Sequence, residues 1–161
     1  MDLFNLPDIE LSTVVSQMTQ LMIAFLLALP IAWDREIEER TLGLRTFPLV
    51  AMASAGYILM TQAVLDNGSE EIARVIAGLM TGIGFLGGGA ILKRGDAVRG
   101  TATAASIWST AAVGAAVAFA RYEIAIALTL VNFLTLRYLK RVKRLVEDGA
   151  AEIRAAANGD D

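Results

Sequence analysis

The chain has 161 residues, of which 55% are hydrophobic, and a mean hydropathy of +0.54. Its 14 Lys+Arg and 17 Asp+Glu give a net charge of −3, and these charges sit in short stretches between long apolar runs, a segregation that points to a polytopic membrane protein, with nothing resembling a nucleic-acid-binding module. Cysteine and histidine are absent, which excludes disulfides, thiol nucleophiles and thiolate metal sites and removes the commonest transition-metal ligand and the commonest general base.

Five segments approach the roughly 20 residues that cross a bilayer as a helix. They run approximately Val14–Trp33, Thr46–Leu65, Ile72–Leu92, Ala102–Ala120 and Tyr122–Leu139. The acidic lead-in to the first (Asp2, Asp8, Glu10) lacks the positive charge of a cleaved signal. Pro30 is expected to bend this span, and Thr46 with Pro48 reads as a helix start with a hydroxyl cap. Asn67-Gly68 marks the next turn. The last two spans are separated by little more than Arg121, so they should form a tight helical hairpin.

Positive charge sets the orientation. Arg35, Arg40 and Arg45 lie in the first connector, Lys93, Arg94 and Arg99 in the third, and Arg137, Lys140, Arg141, Lys143 and Arg144 at the C-terminal end, while the N-terminal tail has no Lys or Arg. The positive-inside rule then places the N-terminus outside and the C-terminus in the cytoplasm, as an odd number of spans requires. The expected fold is an all-α membrane protein with about five transmembrane helices: an external tail over 1–13, a transmembrane domain over 14–139 and a cytoplasmic tail over 140–161.

The third span is dense in glycine, which in lipid allows close approach of a second backbone. At about 100° per residue, Gly78, Gly82 and Gly89 share one stripe, Ala77, Thr81, Gly84 and Gly88 an adjacent one, and Ile76, Leu79, Ile83, Leu86 and Ala90 the far side. The span is therefore expected to be central, with its small faces against two neighbours and its bulky side toward lipid or a third packing layer. In the fourth span Ala105, Ser109, Ala112 and Ala116 form another small stripe, with Trp108 beside it, and the two spans are expected to pack as an antiparallel pair. Membrane packing accounts for these stripes, and a lined pathway or partner-binding groove is the alternative. Asn132, the main strongly polar residue deep in a span, suits interhelical hydrogen bonding.

Two charged clusters could carry function. In "WDREIEERTLGLRT", an interfacial ion-pair network is the expected role, with Asp34 and Glu36 as candidates for a hard cation such as Mg²⁺ the alternative; Glu36 and Arg40 have pairing spacing, and Arg45 could lock onto Asp34. In "KRGDAVRG", Lys93, Arg94 and Arg99 could meet anionic headgroups, and Asp96 could join Asp34 and Glu36 in a network with Arg45 and Arg99. The candidate cytoplasmic cluster is thus Asp34, Arg35, Glu36, Arg45, Thr46, Asp96 and Arg99. No acid or base lies near the midplane of a span, which weakens an ion-coupled transporter, and no arrangement supports nucleophilic or acid–base catalysis.

The stretches "WDRE", "GLRTFPLVAMASAGY", "GIGFLGGGAILKRG" and "VRGTATAASIWSTAAVG", in this order, resemble the MgtC/SapB family of bacterial inner-membrane proteins over roughly Ala28 to Leu139. Positions matching the family motifs are Asp34, Arg35, Glu36, Gly43, Leu44, Arg45, Thr46, Gly82, Gly84, Gly87, Gly89, Arg99, Gly100, Thr103, Ala104 and Trp108. Many members have Glu where Asp34 stands and His where Phe47 stands, and the best-known members carry a soluble C-terminal domain, so a short form is expected here. The resemblance implies a multi-pass protein of the bacterial plasma membrane, linked to growth in low magnesium, survival in host phagocytes and modulation of the ATP synthase. Three functions stand as expectations. The first is a non-enzymatic regulator working through membrane partners, ATP synthase or a second copy among them. The second is a transporter or channel for Mg²⁺ or another ion. The third is a lipid-interacting protein centred on Lys140, Arg141, Lys143 and Arg144.

Overall fold

The computed structural model describes residues 10–39, 43–65, 69–95 and 97–139. Five helices among them are long and apolar enough to cross a membrane. They are α1 (Leu11–Glu39), α2 (Thr46–Val64), α3 (Ser69–Gly89), α4 (Thr101–Ala118) and α5 (Tyr122–Leu134), the last extended by a π-helical segment over Thr135–Leu139. The expected all-α membrane architecture is therefore present. Its one addition is a short antiparallel hairpin, β1 (Leu92–Arg94) and β2 (Ala97–Arg99), in the third connector. Leu92 belongs to this hairpin, opposite Arg99, and not to the third span. Gly95 supplies its turn with φ +59.

The bundle is organised around α4, which contacts α1, α2, α3 and α5. Its buried positions are small or β-branched: Thr103, Ala104, Ser106, Thr110, Ala111, Val113, Gly114 and Val117. Small side chains let four neighbours approach one helix. Its hydroxyls are satisfied locally, since Ser106 donates to the Ala102 carbonyl at 2.8 Å and Thr110 to the Ser106 carbonyl at 2.8 Å. In hydrocarbon, where no water competes, such bonds to the preceding turn remove the cost of a buried hydroxyl. Two apolar layers fill the interior. One includes Ala24, Ala28, Ala51, Ala55, Ile58, Val113 and Val117. The other includes Ile31, Phe47, Val50, Ile83, Ala104, Ile107 and Leu136. The outside is apolar too: Met22, Leu26, Met60, Phe85, Leu130 and Val131 are all more than half exposed, which suits a hydrocarbon solvent and not water.

The expectation for the third span holds in part: α3 touches two neighbours, α2 and α4, and Gly84 and Gly87 meet Trp108 of α4. Most of its bulky side, however, points inward: Ile83 and Ala90 are buried, and Ile76 and Leu79 pack on the core, while Leu86 is exposed. The helix is peripheral, and nothing lies within 4 Å of a Cβ added at Gly78, Gly82, Gly88 or Gly89. A helical wheel fixes relative angles but not which side meets the bundle. Here α4 already supplies small residues, so α3 must bring larger side chains to fill the space between them. The stripe on α4 turns out likewise: Ala105 and Ala112 are exposed, Ser109 is half-buried, and only Ala116 is buried. The antiparallel α3–α4 pair does exist, with Trp108 placed over Gly84 at 3.9 Å and Gly87 at 3.4 Å.

The tight hairpin expected at Arg121 is formed. The Arg121 N–H donates to the Ala116 carbonyl and the Ala120 N–H to the Val117 carbonyl, both at 2.9 Å. That is the paired bonding of a Schellman helix end, with Ala120 in the left-handed position at φ 55. Helix α2 begins at Thr46 as expected, but Thr46 does not cap it. Arg45 occupies the cap position with no side-chain cap bond, and the N–H groups of Thr46 and Phe47 both donate to the Gly43 carbonyl. The turn at Asn67-Gly68 lies outside the described residues.

Candidate functional site

The residues singled out in the first connector gather where α1 ends and α2 begins. Arg35 is buried, and its Nη2 donates to Asp34 Oδ2 at 2.7 Å; the two side chains are 5% and 14% exposed. Helix geometry places Glu36 on another side, because residues two apart point about 200° away from each other. Its Oε2 accepts a hydrogen bond from the Leu44 N–H at 3.0 Å. Gly43 makes this clasp feasible: a Cβ there would lie 2.6 Å from the Cα of Glu36, so only glycine lets the returning chain lie against α1. The acids of "WDRE" thus do different jobs. Asp34 neutralises a buried guanidinium, and Glu36 pins the turn that starts α2.

This geometry bears on the two alternatives left open for the cluster. Among the described residues, no three His, Cys, Asp or Glu side chains come together in a way that could hold a metal ion. Asp34 pairs with its neighbour Arg35 and not with Arg45. Among the described residues, neither Arg45 nor Arg99 forms an ion pair with Asp34 or Glu36. Asp96 and Arg40 lie outside the described residues. Arg99 and Lys93 are exposed on the hairpin, and Gly100, at φ +86, turns β2 into α4 with its α-carbon against the Ala90 carbonyl.

Farther along the bundle, Asn132 is half-buried on α5, with its Oδ1 3.4 Å from the Ser106 Oγ of α4 and its Nδ2 without a partner among the described residues. The Thr129 hydroxyl donates to the Leu27 carbonyl at 3.3 Å and ties α5 to α1. Sequence reasoning missed Ser54, which is buried on α2 with an Oγ lacking any partner among the described residues. Between α2 and α3 lies a cavity of about 720 Å³, which Ser54 lines together with Arg45, Thr46, Gly78 and Gly82. The two glycines stand one helical turn apart, a spacing that leaves a trough as readily as it admits a neighbour.

Fold and site together define a small multi-pass helical membrane protein with glycine turns in its first and third connectors and a buried ion pair near the end of α1. The model of the MgtC family matches residues 21–145, and the chain belongs to that family. Protein SrpB of Synechococcus elongatus is 36% identical, with 78% of this chain and 76% of SrpB covered. Protein MgtC of Brucella abortus is 45% identical over 56% of this chain and 37% of its own length. Protein MgtC of Salmonella paratyphi A is 34% identical over 83% of this chain and 58% of its own length. The chain therefore spans less than two thirds of each of the two MgtC proteins. No solved structure matches.

Proposed function

We propose that this chain is a non-enzymatic regulator of the bacterial inner membrane that acts by packing against a membrane-protein partner, in the adaptation to scarce magnesium that the family resemblance implies. The observation that carries the reading is the outward face of α4. Ala105 and Ala112 are exposed and Ser109 half-buried, one turn apart, next to Trp108 at 41% exposure. Small residues in lipid favour close helix–helix contact, because neither side chains nor a desolvation penalty hold the backbones apart. An aromatic ring beside them offers the partner a large apolar anchor. The ATP synthase, named by the resemblance, and a second copy of this chain are the partners to test first.

Photo-crosslinkers placed at Ala105 and Ala112 in intact membranes should trap one defined species. Ala105→Leu with Ala112→Leu should abolish that species and leave expression unchanged. A chain that crosslinks to nothing from these positions refutes the reading.

A further inference from the structure

The cavity between α2 and α3 lies on the side of α3 away from the α4 stripe and plays no part in the partner contact proposed above. On α2 its lining runs from Arg45 to Tyr57, a rise of about 18 Å at 1.5 Å per residue. One leaflet of the hydrocarbon core is about 15 Å deep. The groove thus has the length of a single leaflet. Gly78 and Gly82 make the trough on α3, since neither has a side chain to fill it, and Leu79 and Ile83 wall its inner side.

The chemistry changes along this groove. Below the mouth its lining is apolar apart from Ser54 and Tyr57. Its mouth, at the start of α2, carries the exposed Arg45, which makes no ion pair among the described residues, and the half-buried Thr46. A second cavity of about 230 Å³ shares Thr46, Val50 and Leu86 with the first, so there is room for a second chain around Leu86. Ser54 lines the larger cavity, fully buried, with its Oγ unpaired among the described residues.

We propose that this groove holds one anionic phospholipid of the cytoplasmic leaflet, its phosphate at Arg45 and Thr46 and an acyl chain laid over Gly78 and Gly82. The cation at the mouth selects the headgroup, and the glycine trough admits the tail.

The test is the full chain reconstituted in nanodiscs of mixed phosphatidylglycerol and phosphatidylethanolamine, extracted gently and weighed by native mass spectrometry. The parent chain should retain phosphatidylglycerol in preference to phosphatidylethanolamine. Arg45→Gln should lower that preference about fivefold, the worth of one basic side chain near an anionic surface. Gly82→Leu should lose both lipids. Position 82 opens on empty space, so this variant should melt like the parent, which separates loss of the groove from loss of the fold. Retention of no phospholipid by the parent overturns the proposal, as does an unchanged preference in Arg45→Gln or continued lipid retention in Gly82→Leu. A crosslink from Tyr57 to a second copy or another protein, in place of bound lipid, overturns it too.

Discussion

Gly114 of α4 lies directly against the backbone of Ala51 of α2, so that a Cβ at position 114 would collide with the Ala51 carbonyl oxygen and sit 2.8 Å from its carbonyl carbon. This is the closest approach of two helix backbones that glycine makes possible among the described residues. The obstacle is backbone on both sides, so no side-chain rotation relieves it. Gly114→Ala should therefore destabilise the bundle by about 1–3 kcal/mol, the usual cost of overpacking a well-filled core. Gly78→Ala should be neutral or slightly stabilising, since that position opens on empty space. Melting temperatures in one detergent, taken in parallel, check both. Equal effects at the two positions would refute the assignment.

A second prediction concerns the α4–α5 turn. Ala120 is the one non-glycine residue with positive φ among the described residues. Its Cβ pays the left-handed penalty, about 1–2 kcal/mol per residue. It is exposed and makes no packing contact that glycine would lose. Ala120→Gly should therefore stabilise the protein by about 1 kcal/mol, less a few tenths for the added freedom of the unfolded chain. A lowered melting temperature would show that the turn is not held in this conformation.

The five spans were legible because hydrocarbon imposes length and apolarity on each of them, and the break at Arg121 was legible because little else separates two apolar runs there. The faces were not legible. Gly82 and Gly114 look alike in sequence, each being a glycine within a run of small and apolar residues. Only the fold places one over a trough and the other against a carbonyl, because the rotation of each helix is set by its neighbours and the periodicity carries no sign. The hairpin escaped notice because Leu92 continues the apolar run of α3, although Gly95 carries its turn. In the candidate site, charge pairing at the end of α1 was foreseen but the partners were not. Arg35 takes Asp34 from the adjacent position, and Glu36 goes to a backbone N–H that no side-chain spacing rule anticipates.

The Asp34–Arg35 pair is buried enough for its two halves to be unequal. Removing the carboxylate alone leaves a guanidinium that is 95% enclosed and whose Nε already lacks a partner among the described residues. Asp34→Ala should thus cost about 3 kcal/mol, in the range for breaking a buried pair. Asp34→Ala combined with Arg35→Met removes both charges and should recover most of that loss, because an apolar side chain of similar length needs no counter-ion. The double-mutant cycle, read by thermal unfolding in detergent, gives the coupling. Additive losses would show that the two side chains act independently.

The orientation follows from where cations collect, and it can be tested cleanly because the natural chain has no cysteine. Single cysteines at Lys93, on the exposed hairpin, and at Ala120, in the exposed α4–α5 turn, sit at opposite ends of α4. The positive-inside rule predicts that a membrane-impermeant maleimide labels position 120 from outside intact cells, and position 93 only after the membrane is opened. Cysteine at Arg45 should behave like position 93, because the first and third connectors must share a side in a five-span chain. Labelling of 45 and 93 from opposite sides would break the even spacing of crossings between them, and with it the placement of Arg45 at the cytoplasmic mouth of the α2–α3 groove.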